Sequence, residues 1–350
     1  VSRSGPLRIV SIGGGTGLST LLQGLKRYAK LRHANPAAPL EVGGPLVELT
    51  AVVTVTDDGG SSGRLRRQMD ILPPGDIRNC MVALAEDETL LTRLFQYRFR
   101  AGRGLKGHNF GNLFLTALTD LTGDFARAIR LSSEVLASLG HIYPSTADNV
   151  ALVARLANGR TVAGESKIGR STEPIAEIAL DRPAQPLPQT LEAIAAADLI
   201  TFGPGSLFTS VIPNLLVEGI PEAIRKSPAR KVYFLNLMGQ PGETLGFRAS
   251  DHIEALYRHA GGPFLDLCVV NTRAISPRLR KRYAAQRAQP VEVDADRLEA
   301  LGLRLVARDL LRRAEKVRHD PSIAAAIAIE LALESRRAAG KRNVRRKNKR

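Results

Sequence analysis

Only two cysteines, Cys80 and Cys268, occur among the 350 residues, and they stand far apart. That scarcity excludes a disulfide framework and a cysteine-built metal site. No apolar run approaches the ~20 residues that a bilayer crossing demands, and no secretory leader is visible, so a cytoplasmic protein is expected. Acidic residues are missing from the last fifteen positions. Those positions hold nine basic residues: Arg336, Arg337, Lys341, Arg342, Arg345, Arg346, Lys347, Lys349 and Arg350. Most of the net charge of +16 therefore belongs to that end, and the remainder of the chain is unremarkable. Like charges with little to bury predict a disordered basic tail over 336–350. Without aromatic residues the tail has no base-stacking platform. A weak, salt-sensitive contact with RNA or anionic lipid is what its charge allows.

Hydrophobic residues make up 44% and charged ones 24%, a balance that supports a real core. Apolar runs alternate with helical patterns, which predicts an α/β fold: a Rossmann-like, doubly wound, mostly parallel sheet. Strands are expected over 7–12, 46–55, 199–202, 231–237 and 266–271. Their near-continuous Val, Ile and Leu content suits strands covered on both faces. Residues 30–45, with three prolines, read as a loop. Helical patterns over 77–86, 88–97, 109–121 and 124–139 follow one another without a strand signal, so a helical subdomain is expected as an insertion over 76–139. Residues 150–166 read as a hairpin turning at Asn158 and Gly159. The proline-rich stretch 179–190 reads as a connector, and 323–337 as a docking helix. One α/β domain over 1–330 is the resulting expectation.

Glycine is abundant where the chemistry is expected. IVSIGGGTGLSTLLQGLK, residues 9–26, places strand, glycine loop and helix in order, an arrangement that aims free helix amides and the positive end of the helix dipole at one spot. Gly13, Gly14, Gly15, Thr16, Gly17 and Leu18 form the candidate anion loop. Neither standard fingerprint fits: a dinucleotide pattern begun at Gly13 meets Leu18 where the third glycine belongs, and no Gly-Lys-Ser/Thr follows. The second strand ends at Asp57 and Asp58, where carboxylates meet ribose hydroxyls or hold Mg²⁺. Adjacent acids in a glycine-rich turn also serve as plain turn formers.

Asp76 stands where it caps the following helix, or lines the pocket. Arg78 and Asn79 follow in the first turn, and a cation there opposes the dipole and hints at an anionic partner. His108 and Asn109 begin another helix behind a glycine. Gly203, Pro204, Gly205 and Ser206 repeat the opening logic, with Ser206 expected to cap a helix, so that two loops suit the two ends of a diphosphate, or a phosphate and a sugar. Asn236, Met238, Thr244 and Arg248 complete the candidate lining, and Ser250 is expected to cap the helix after them. No lysine stands in the phosphate loop, and no nucleophile–base pair or redox cysteine pair is visible.

The stretches GGGTGLSTLLQGLK, TVTDDGGSSGRLRR, LPPGDIRNCMVALA, LFQYRF, GHNFGNLFL, LITFGPGSLFTSVIPNLLV, LMGQPGETLGFRASDHI and VRHDP occur in this order from about residue 8 to 330. Together they closely resemble the YvcK-like gluconeogenesis factors, within the CofD-like (2-phospho-L-lactate transferase) superfamily. The resemblance implies a Rossmann-like core with inserted helices, binding of a UDP-sugar such as UDP-N-acetylglucosamine, and a role in carbon flux, cell-wall precursor supply and cell shape. It also implies that NAD or guanine nucleotides fit related sites, and that an unidentified protein partner and a homo-oligomer belong to the function. The transferase branch uses Mg²⁺ at an acidic strand end matched here by Asp57 and Asp58. The GGSSGRLRR and PPGDIRN that follow belong to the gluconeogenesis-factor branch. Two functions result: a nucleotide-sugar-binding regulator, or a phospholactate-type transferase.

Overall fold

Residues 7–13 alternate sides with apolar groups on both, which a strand tolerates only with layers above and below it. The computed structural model, which describes residues 5–34, 47–86, 89–312 and 314–347, provides both layers. Seven parallel strands form the main sheet: β1 (Leu7–Gly13), β2 (Val47–Val53), β3 (His141–Pro144), β7 (Leu199–Phe202), β8 (Arg230–Phe234), β9 (Leu267–Asn271) and β10 (Arg304–Arg308). Their order is β10-β9-β8-β7-β1-β2-β3. Leu7 and Ile9 join the core on one side of the sheet, and Val10 and Ile12 the core on the other. Burying each such side chain contributes roughly 1.5–3 kcal/mol.

Residues 30–34 of the expected loop are helical; the rest of it lies outside the described residues, as does residue 46 at the start of the expected second strand. Helix α1 (Gly15–Ala34) follows β1 and covers one face, with Leu18, Leu21, Leu22 and Leu25 buried. The crossover from β2 to β3 carries α2 (Gly60–Met69), α3 (Gly75–Leu84), α4 (Leu90–Gln96), α5 (Phe110–Thr122) and α6 (Phe125–Val135). This is the expected run of helices, and it begins one helix earlier, at Gly60. The expected start of α4 at residue 88 lies outside the described residues.

The hairpin is present as β4 (Leu152–Leu156) and β5 (Thr161–Ala163), with Asn158 Oδ1 accepting from the Arg160 amide in the turn. A third strand, β6 (Ile175–Leu180), pairs with the far side of β4 to make a separate three-stranded sheet. It takes up the first two residues of the stretch expected to be a proline-rich connector, 179 and 180.

The C-terminal helix, Pro321–Lys347, docks on α1. Gly24 makes the contact close: a Cβ there would stand 1.9 Å from the Pro321 carbonyl oxygen. This helix continues to residue 347, into the stretch expected to be a disordered tail. Its physical reason begins at Arg336, whose guanidinium donates to the carbonyls of Gly5 and Pro6 and pairs with the buried Asp198 carboxylate. Among the described residues no single helix is long and apolar enough to cross a membrane.

Candidate functional site

The sheet order sets the place of the site. From β1 the chain moves outward to β2 and β3, then returns at β7 beside β1 and builds in the opposite direction. Ligands of open α/β sheets bind beyond the carboxyl ends of strands at such a reversal. A cleft of about 250 Å³ opens there, between the loop after β1 and the loop after β7.

Gly14, Gly15, Thr16 and Gly17 form one wall of this cleft, Pro204, Gly205 and Ser206 a second, and Asn236 and Met238 the floor beyond β8. These nine expected residues are brought together. The two loops touch through Gly17, where a Cβ would stand 2.1 Å from the Pro204 carbonyl oxygen. Gly15 adopts φ +62°, a left-handed conformation that glycine takes without strain. Asn236 Oδ1 accepts from the Gly205 amide at 3.3 Å, linking the second loop to the end of β8. Thr16 and Gly17 lie in the first turn of α1, so their amides have no partner within the helix.

Other expected residues serve the cleft from behind or stand elsewhere. Gly13 ends β1, paired in register with Val53, and its carbonyl accepts from the Thr54 amide and the Asn214 side chain. Leu18 is a core residue. The Gly203 amide continues the sheet bond to Ile12. Thr244 is fully buried and its hydroxyl accepts from the Gln240 amide.

Ser206 makes no cap bond to the helical turn after it; its hydroxyl accepts from Gln240 Nε2 at 2.8 Å. That turn, Leu207–Val211, is a buried π-helical one whose Phe208 amide and Thr209 hydroxyl donate to the buried Glu243 carboxylate. Arg248 is exposed, lies near Glu292 and lines a different hollow with Asp251 and Asp294. Ser250 does not cap its helix, since Asp251 accepts from the Arg248 amide while Ser250 bonds Asp294.

Beside the first loop lies an acidic shelf. Asp76 is not a cap: it is the second residue of α3, and its carboxylate accepts from the Gly15 amide. Thus the Gly15 N–H is already engaged, and Thr16 and Gly17 offer the amides left to an anion. A Cβ on Gly14 would stand 2.6 Å from Asp76 Oδ2, so this glycine is needed for the carboxylate to approach. Burial first, then the charge of Asp57, push Asp76 up to about 6. Glu165, at the start of the short helix Glu165–Ile168, is pushed far above the ordinary carboxylate range by burial and by the charges of Asp57, Asp76 and Glu243.

Arg78 answers these charges from inside the fold. Its Nη2 donates to Asn79 Oδ1, Asp76 and Asp57 are its nearest acidic influences, and burial pushes it down to about 10. The anionic partner its position suggested is therefore at least partly the protein's own carboxylates. His108 and Asn109 sit at the junction of α2 and α5. His108 Nδ1 meets the Ser61 hydroxyl at 3.1 Å, and Asn109 caps α5 by accepting from the Asn112 amide. Burial and the nearby Arg64 and Arg98 push His108 below its usual value.

The expected metal position at Asp57 and Asp58 does not fit an ion held by the two together. Asp57 Oδ1 accepts from the Gly59 amide, while Asp58 Oδ1 turns to the Ser166 amide. Among the described residues no group of three or more His, Cys, Asp or Glu side chains converges to hold a metal.

The third wall was not among the expected residues. Val317, Arg318 and His319 close the cleft just ahead of the C-terminal helix, with Thr20, Ser210, Leu237 and Gln240 completing it. Arg318 is the one cation lining the cleft among the described residues. His319 is buried, donates from Nε2 to the Leu235 carbonyl at 3.1 Å, and is pushed by burial down to about 4. It faces the cleft neutral. The signal was present in VRHDP, but nothing local in those residues says that they meet a loop three hundred positions earlier.

The shelf makes anion binding depend on pH. Above about 6 the Asp76 carboxylate is charged and repels a phosphate on the adjacent loop; below it the repulsion disappears. A sugar diphosphate diester does not itself titrate in this range, so its affinity is expected to rise several-fold between pH 7.5 and 5.5, and Asp76→Asn should abolish that slope in a titration series. On stability the sign is the same. Between the ordinary 3.8 and about 6 the native state binds the extra proton, so this group's contribution declines as pH rises through that window.

The family model described as 2-phospho-L-lactate transferase CofD matches residues 9–311. A protein of Halalkalibacterium halodurans named "Gluconeogenesis factor" is 46% identical over 316 residues, covering 90% of this chain and 93% of that one. The "Gluconeogenesis factor" of Bacillus subtilis is 44% identical over 330 residues, covering 93% and 98%. A crystal structure of a Bacillus halodurans protein superposes with a TM-score of 0.85 at 45% identity, covering 93% of this chain and all of that one.

Proposed function

Because this chain belongs to the CofD-like family, and within it to the gluconeogenesis factors, we propose that it is a regulator that binds a nucleotide-sugar of the UDP-N-acetylglucosamine kind. Binding alters its conformation or its hold on a protein partner, and so adjusts carbon flux, cell-wall precursor supply and cell shape. The observation that carries this reading is the cleft at the reversal point of the sheet, with glycine loops on two walls and Arg318 on the third. Amides and one arginine suit a diphosphate, whose charge is fixed and whose oxygens accept.

The same lining argues for binding over turnover. Among the described residues it holds no carboxylate, cysteine or lysine, and its one histidine is neutral and already bonded to a carbonyl. Hydroxyls are present, but Ser206 receives its bond from an amide and not from a base. The test is a melting experiment with UDP-N-acetylglucosamine, UDP-glucose, NAD and GDP, followed by chromatography of the ligand. A regulator gains roughly 2.7 kcal/mol at a hundred times the dissociation constant and returns the ligand intact. No stabilisation by any nucleotide contradicts the reading.

A second reading, a phospholactate-type transferase, is favoured by the acidic shelf against Gly14 and Gly15. It predicts consumption of a guanylyl-activated phospholactate in assays containing Mg²⁺, lost in Asp57→Asn.

A further inference from the structure

The walls of the cleft differ in hydrogen-bonding sense. The glycine loops present N–H donors, as an anion requires. In the same lining, Gln240 beside Ser206 and His319 next to Arg318 carry acceptors.

Gln240 is held on three sides. Its amide donates to Thr244 Oγ1 at 3.0 Å, its carbonyl accepts from the amides of Glu243 and Thr244, and its Nε2 donates to Ser206 Oγ. Its Oε1 is buried without a partner. A buried carbonyl left unpaired costs about 1–3 kcal/mol, and the Nε2 bond to Ser206 leaves this oxygen for an outside donor.

His319 carries the same sense for a different reason. Leu235 O is an acceptor only, so Nε2 of His319 must hold the proton. With the ring neutral, the lone pair is on Nδ1. A histidine beside a phosphate site is ordinarily read as a cation; this one offers a lone pair.

We infer that Gln240 and His319 form a donor-reading subsite, which accepts hydrogen bonds from hydroxyl or N–H groups on the non-phosphate part of the ligand. The cleft therefore selects a diphosphate bearing a hydroxyl- or amide-rich group over a bare polyphosphate. This rests on the nucleotide-sugar reading above and adds to it the residues that separate ligand classes. Val317 and Leu237 in the same lining give that group an apolar neighbour.

The test uses the full chain, with UDP-N-acetylglucosamine and inorganic pyrophosphate as probes in calorimetry. Gln240→Met keeps the shape and removes both polar atoms. His319→Phe keeps the bulk of the ring and removes the Nδ1 lone pair together with the donor to Leu235 O. Each variant is expected to weaken UDP-N-acetylglucosamine about tenfold and to leave pyrophosphate within twofold. The pH dependence set by Asp76 should persist in both, which shows that the anion end is intact. Equal weakening of both probes, or weakening of neither, overturns the subsite while the nucleotide-sugar reading stands. Failure of the unaltered protein to bind UDP-N-acetylglucosamine overturns both. Should one variant not fold, the other decides the matter alone.

Discussion

Gly17→Ala is expected to lower the melting temperature by roughly 3 °C and to weaken nucleotide binding at least tenfold. Two effects of opposite sign meet at this position. In a helix interior alanine is favoured over glycine by about 1 kcal/mol. Against that, the new methyl group would stand 2.1 Å from the Pro204 carbonyl oxygen and 2.8 Å from the Gly205 Cα, both of them backbone atoms. Overpacking of that kind costs about 3 kcal/mol, so the clash wins. The only relief is to separate the two glycine loops, which is the same as widening the cleft.

Gly24→Ala supplies the contrast. Its methyl group would meet the Pro321 carbonyl at 1.9 Å, a clash of similar severity between α1 and the C-terminal helix. Gly24 does not line the cleft, so stability should fall by a comparable amount while nucleotide affinity changes much less. Paired melting and calorimetry on the two variants check this. Similar losses of affinity in both would mean that the loop contact has no special bearing on the ligand.

Arg336→Ala is expected to destabilise the protein by about 3 kcal/mol, measured by urea unfolding. The Arg336 side chain is 18% exposed and that of Asp198 only 5%, so the pair is largely removed from water. Removing the cation leaves Asp198 with the Arg8 amide at 2.9 Å among its remaining partners, and frees the carbonyls of Gly5 and Pro6 from their donors. Arg336→Lys should recover only part of the loss, because one ammonium cannot match a planar fork that serves two carbonyls and a carboxylate. A truncation meant to isolate the basic tail must therefore stop after residue 340. Ending the chain at 335 removes the clamp as well, and confuses a stability effect with a binding one.

What was legible beforehand follows from where physical signals are local. The strands β1, β7, β8 and β9 are mostly buried, so short runs rich in Val, Ile, Leu and Phe announce them. β3 and β10 are the sheet edges. HIYP and RLVAR each keep residues exposed, which leaves too little apolar pattern to distinguish them from loops. The glycine loops were legible because strand, glycine and helix are consecutive in the chain.

The third wall was not, since Val317, Arg318 and His319 reach the cleft through the packing of the last helix on α1. Asp76 and Ser206 illustrate a different limit. Both stand where a cap is expected, and both spend their oxygens on a distant partner, Gly15 in one case and Gln240 in the other. Local rules name the residues that want a hydrogen bond; only the tertiary structure says which donor arrives. The tail departs from expectation as far as residue 347 for a related reason. Net charge argued for disorder, while one of its nine cations, Arg336, has a carboxylate and two carbonyls to satisfy it.

The most direct measurement is a crystal structure grown with UDP-N-acetylglucosamine. The diphosphate should lie between residues 14–17 and 204–206, within hydrogen-bonding distance of the Thr16 and Gly17 amides, with Arg318 turned toward it. A nucleotide bound away from the carboxyl ends of β1 and β7, with those loops free of phosphate, would contradict the account.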